Sequence, residues 1–120
     1  SVERQSAKLN DAVNILRSTL ERAGYWMELH GVPVLEEEQR MADAETMMEV
    51  MEVNEEIEDA TRIEEIERLL ATTGAKVREV EGKLTKVFQE KDWDTSRTHV
   101  ERLKMLTRIM EKLNDWRPPE

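Results

Sequence analysis

Ile63, Ile66, Leu70, Thr73, Val77, Val80, Leu84 and Val87 recur at spacings of three and four, with polar residues between them. That is one face of an α-helix. The phase holds through Thr72-Thr73-Gly74, so the spacing predicts a single helix of about 45 Å, from roughly 30 residues at 1.5 Å each. Gly74 weakens it by roughly 1 kcal/mol relative to Ala, which packing can outweigh; a break at the glycine is the alternative. Thr61 followed by Glu64 predicts a capping box at its start.

The flanking elements follow from the same signals. From Ser6 to Leu16, the residues Leu9, Val13, Ile15 and Leu16 predict a first helix. Ser18 with Glu21 predicts the cap of a second. That helix runs through Leu20, Ala23, Trp26 and Met27 and stops at Gly31, with Pro33 beyond. Residues 31 to 42 read as a loop, with a short helix possible from Leu35 to Gln39. A further helix covers 43 to 59, opened by Asp43 with acids near its positive end. The last begins near Asp94, carries Leu103, Leu106, Met110 and Leu113 as its seam, and ends near Trp116 before Pro118-Pro119. The expected fold is all-α: an antiparallel three-helix bundle over residues 33–120, preceded by a two-helix arm over 1–32.

Composition supports that class. Of 120 residues, 38% are charged and 4% aromatic, and there is no Cys, which excludes disulfides and thiolate chemistry. Net charge is −9 but uneven: residues 35 to 68 hold 14 acids and three Arg, a balance of −11, and the remainder carries +2. An acidic centre argues against nucleic acid and against an anionic membrane surface. It suits a basic partner or plain solubility.

The stretch ETMMEVMEVNEE, residues 45 to 56, places three of the seven methionines among five carboxylates. On a helical wheel zeroed at Met47, Val50, Val53 and Ile57 fall at about −60°, −120° and −80°, a coherent core stripe. Met51, Glu55, Met48 and Glu52 fall at about 40°, 80°, 100° and 140°. Met47 is on the border. On the last helix, zeroed at Leu103, the seam spans about 0° to −80° and Met105 falls near −160°. Flexible thioethers outside a seam suit an adaptable binding surface; burial of both faces between two neighbours is the competing structural reading.

Other chemistry is thin. Asp92-Trp93-Asp94-Thr95-Ser96 begins like a calcium loop but has Arg97 and Leu103 at the sixth and twelfth positions, where Gly and Glu are needed; it reads as an N-cap cluster. His30 and His99 follow Met27 and Ser96 at the spacing where a bundle di-iron site needs Glu, so both read as surface or cap residues. No metal ligand set, cofactor or catalytic residue is expected, and the chain is read as no enzyme.

Three stretches together resemble the HscB family of J-protein co-chaperones for iron–sulfur cluster assembly: LNDAVNILRSTLERAGYWMELHG (9–31), MMEVMEVNEEIEDA (47–60) and FQEKDWDTSRTHVERLKMLTRIMEKLNDW (88–116). The resemblance implies a J domain, of which this chain holds only the end of the last helix near Ser6 to Arg17, and a C-terminal three-helix domain that binds an IscU-type scaffold. His30 is followed by Gly31-Val32, so the His-Pro-Asp loop that such proteins use on a DnaK-type chaperone is absent. The implied activity is scaffold binding, with the chaperone a partner only if a complete J domain exists in the parent protein. Thr19 departs from the Pro common at the arm's turn, and Tyr25-Trp26-Met27 from a Leu-rich stretch.

Carried over by position, the resemblance implies partner contacts at Met47, Met48, Met51, Glu52 and Glu55, plus Met105 where relatives carry an aromatic. It implies neither nucleic acid nor membrane as a partner. The tail DWRPP tilts localisation to the mitochondrial matrix, with bacterial cytoplasm the alternative. A structural or self-associating bundle is the competing function.

Overall fold

Four helices account for most of residues 2–32 and 44–120, which the computed structural model describes. They are α1 (Val2–Leu29), α2 (Ala44–Asp59), α3 (Ile63–Gln89) and α4 (Trp93–Asp115), with no strand among the described residues. The expected loop at 31–42 and the short helix at Leu35–Gln39 lie, beyond Val32, outside the described residues. None of the described helices is long and apolar enough to cross a membrane.

The two-helix arm is not what forms. α1 runs unbroken through Ser18 and Thr19. Thr19 keeps the backbone N–H that a proline would lack, and its Oγ1 donates to the Ile15 carbonyl at 3.0 Å, a bond made inside a helix. The apolar run from Leu9 to Leu16 also splits: Val13 and Leu16 are buried, whereas Ile15 is 64% exposed. α1 does end at Gly31, which takes φ 66°. The amides of Val32 and Gly31 return to the Met27 and Glu28 carbonyls at 2.9 and 3.1 Å, closing a Schellman motif.

α3 passes through Gly74 without a break. Its cap sits one residue later than expected: the Glu65 carboxylate accepts from the amides of Thr61 and Arg62 at 2.9 and 3.1 Å. Those two amides lower the Glu65 pKa. Ile63, the expected first seam position, is 45% exposed, and Leu69 is buried below it. A second Schellman motif ends α3, with Asp92 and Lys91 amides on the Val87 and Phe88 carbonyls. Here the left-handed position is occupied by Lys91, φ 60°. Asp92 then caps α4, accepting from the Thr95 amide at 3.2 Å, as the N-cap reading of that segment required.

α4 is the central helix. Leu103, Leu106, Met110 and Leu113 are buried as the seam requires, but Ser96, Arg97, His99, Val100, Thr107 and Ile109 are buried too. They cover several faces because α1, α2 and α3 all pack on α4. α1 lies antiparallel to it: Arg17 pairs with Glu111 at 3.0 Å, and Arg97 near the start of α4 reaches the Val32 carbonyl just past the end of α1. Val13, Leu16, Met27 and Val32 share one hydrophobic core with the bundle. Where the end of α1 meets the α3–α4 turn, the Trp26 ring lies 4.6 Å from both Phe88 and Trp93 and stacks on His30 at 3.6 Å.

Candidate partner-binding face

α2 buries none of its residues fully. Val50, Val53 and Ile57 are half-buried against the core, as the wheel places them. Each contributes roughly 1 kcal/mol, about half of what full burial gives. Two polar links brace the helix: Lys76 of α3 pairs with Glu49 at 3.3 Å, and Lys112 of α4 donates to Asn54 Oδ1 at 2.9 Å.

That leaves the opposite face bare. Met48 and Met51 are each 62% exposed and Met47 37%, and Glu52 and Glu55 are exposed beside them. Burial of both faces of α2 is therefore excluded for Met48 and Met51. Glu52 also lines a groove between α2 and α3 of about 580 Å³, with Glu49, Glu56, Arg68 and Lys76 among its walls. Met105 is half-buried rather than fully outside.

The structure relates Met105 to the α2 methionines through the Lys112–Asn54 bond. Short turns reverse the chain on either side of α3, so α2 and α4 run in the same direction. Met47 precedes Asn54 by seven residues, and Met105 precedes Lys112 by seven. At 1.5 Å per residue both methionines sit about 10 Å below the bonded pair, at one level on neighbouring helices. The arrangement offers polarisable apolar side chains at the α2–α4 border, rimmed on α2 by carboxylates. Among the described residues, no three His, Cys, Asp or Glu gather where a metal could be held.

Sequence reasoning missed the buried polar start of α4. Ser96 is 0%, Arg97 6% and His99 8% exposed, so His99 is an interior residue and not a surface or cap histidine. Ser96 Oγ, Arg97 Nε and His99 Nδ1 lack hydrogen-bond partners. Burial, then the charges of Arg102 and Lys83, hold the His99 pKa below its ordinary value, against a weaker opposing effect of Asp92. The only advance signal was the spacing of Ser96, His99, Val100 and Leu103, which continues the apolar seam. His30, by contrast, is exposed as expected, although its ring stacks on Trp26.

Residues 42–114 match the family described as the HSCB C-terminal oligomerisation domain. Over 117 residues the sequence is 27% identical to the mouse iron-sulfur cluster co-chaperone protein HscB, covering 98% of this chain and 50% of that protein. It is 34% identical to the mitochondrial J-type co-chaperone jac1 of Schizosaccharomyces pombe, covering 94% of this chain and 51% of that one. It is 27% identical to co-chaperone protein HscB of Proteus mirabilis, covering 90% and 65% respectively. The chain thus spans about half to two thirds of the length of these curated relatives. No solved structure matches.

Proposed function

The chain belongs to the HscB C-terminal domain family, and on that footing we propose that it is the scaffold-binding part of an iron–sulfur cluster co-chaperone. It binds an IscU-type scaffold protein without catalysing a reaction. The binding surface is Met47, Met48 and Met51 of α2, ringed by Glu52 and Glu55, and extended by Met105 of α4. The observation that carries this reading is the 62% exposure of both Met48 and Met51, on the side of α2 turned away from its half-buried stripe. Exposed apolar side chains gathered on one face mark a partner site, and an acidic rim favours a basic surface opposite it. Delivery of the scaffold to a DnaK-type chaperone requires a J domain with its His-Pro-Asp loop in the parent protein. The working compartment on this reading is the mitochondrial matrix, or the cytoplasm of a bacterium.

Calorimetric titration with an IscU-type scaffold tests it, alongside a Met48→Ala/Met51→Ala/Met105→Ala variant. Micromolar binding by the parent chain, abolished in the variant with helicity intact, is the expected result. Parent chain that leaves the scaffold unbound overturns the proposal. The word oligomerisation in the family's description favours a second reading, self-association through the same methionines. Light scattering separates the two, because a mass that rises with concentration and falls in the triple variant supports self-association.

A further inference from the structure

The proposed surface does not end at an acidic rim. On the α4 wheel, Met105, Arg108 and Lys112 follow the i, i+3, i+7 spacing and form one stripe on the side away from the Leu103–Met110 seam. Lys104 flanks the stripe toward α1. The two edges are marked by polar links: Lys112 bonds Asn54 of α2 at 2.9 Å, and Glu111 pairs with Arg17 of α1 at 3.0 Å. The stripe therefore lies on α4 between α1 and α2. A shallow groove of about 210 Å³ runs along its α1 side, with Leu20, Glu21, Lys104 and Arg108 among its walls.

The charges along this stripe are only partly paired. Lys104 has Glu101 at 3.2 Å and Arg17 has Glu111. Lys112 has only the neutral amide oxygen of Asn54. Arg108 is exposed and makes no ion pair among the described residues, although Glu21 lines the same groove. Among the described residues, Arg108 and Lys112 thus place two cations without an ion pair beside Met105 on this face. A partner that covers the α2 methionines and reaches Met105 must also pass over them. Covering Arg108 with an apolar or basic surface would desolvate an unpaired cation, which is costly.

We infer that Arg108 and Lys112 form a second, cationic subsite that takes a carboxylate-bearing segment of the partner, so that the docked surface is bipolar. The partner presents basic groups to Glu52 and Glu55 on α2 and acidic groups to Arg108 and Lys112 on α4. Opposite charges at the two ends of one apolar patch fix the direction in which a partner docks, because the reversed pose sets like charges against each other. This inference rests on the scaffold-binding reading and assigns to that partner an acidic patch that the methionines alone do not require.

Arg108→Glu, Arg108→Lys and the control Arg22→Glu, on the outward face of α1, test it by calorimetric titration with the scaffold at low and high salt. Arg108→Glu is expected to weaken binding on the order of tenfold at low salt and to flatten the salt dependence. Arg108→Lys retains most of the affinity, and Arg22→Glu matches the parent chain. Equal affinity and equal salt dependence for Arg108→Glu and the parent would overturn the cationic subsite while leaving the methionine site standing. Parent chain that fails to bind scaffold overturns both. Arg108 is exposed, so charge reversal there leaves the fold intact, which thermal unfolding of each variant verifies.

Discussion

Arg97 Nη2 donates to the Val32 carbonyl oxygen at 3.2 Å across 65 residues of sequence, with Arg97 only 6% and Val32 7% exposed. The bond ties the cap at the end of α1 to the first turns of α4. Arg97→Ala removes it, leaves a buried carbonyl unpaired and strips the packed stem, a loss of about 1–3 kcal/mol. Arg97→Met keeps the stem and should lose less. Urea unfolding of both variants checks this; equal losses would mean that packing of the stem contributes nothing.

His99 makes stability depend on pH. Its folded pKa lies below the unfolded value, mainly through burial. Unfolded chain therefore binds a proton that folded chain resists, so stability is complete above about pH 6.5 and falls as pH drops toward the depressed folded value. The urea midpoint should be higher near pH 7.5 than near pH 5.5, in the direction that linkage requires. In His99→Gln that difference should shrink. An undiminished difference would point to other groups.

Lys91 holds a left-handed backbone, φ 60°, at the end of α3. A side chain there costs roughly 1–2 kcal/mol, partly offset by the freedom glycine gains when unfolded. Lys91→Gly should therefore raise stability by about 0.5–1 kcal/mol. Gly31→Ala should lower it by a similar amount, since a Cβ at Gly31 meets nothing within 4 Å and only the backbone, φ +66°, is strained. Thermal unfolding that moved both variants in the same direction would refute the pairing.

Thr19 lies in the middle of an unbroken α1. Thr19→Pro removes the N–H and sets a ring against the Ile15 carbonyl, which accepts from Thr19 Oγ1. The cost in a helix interior is about 3 kcal/mol. Circular dichroism should show lost helicity, or a fall in melting temperature if α1 kinks and stays docked. An unchanged melting curve would mean that α1 accommodates a turn there after all.

Much of the architecture was legible because burial repeats with the period of the backbone. The α3 seam from Ile66 to Leu84 could be followed through Gly74, and the Leu103–Leu113 seam was complete. The α1 break was misread from Ser18 and Glu21, a capping signature that a continuous helix also tolerates on its surface. Ile15 and Ile63 were misassigned for a related reason: an apolar residue type does not say which side of a helix finds a neighbour.

The same distinction divides the candidate site. Local period alone separated Met48 and Met51 from the Val50–Ile57 stripe, since the angles between side chains on one helix depend only on sequence spacing. The level of Met105 with Met47, the unpaired charge of Arg108 and the burial of Arg97 and His99 were decided by tertiary structure. Each depends on which helices surround α4 and in what register, and that is set by packing between segments far apart in the chain.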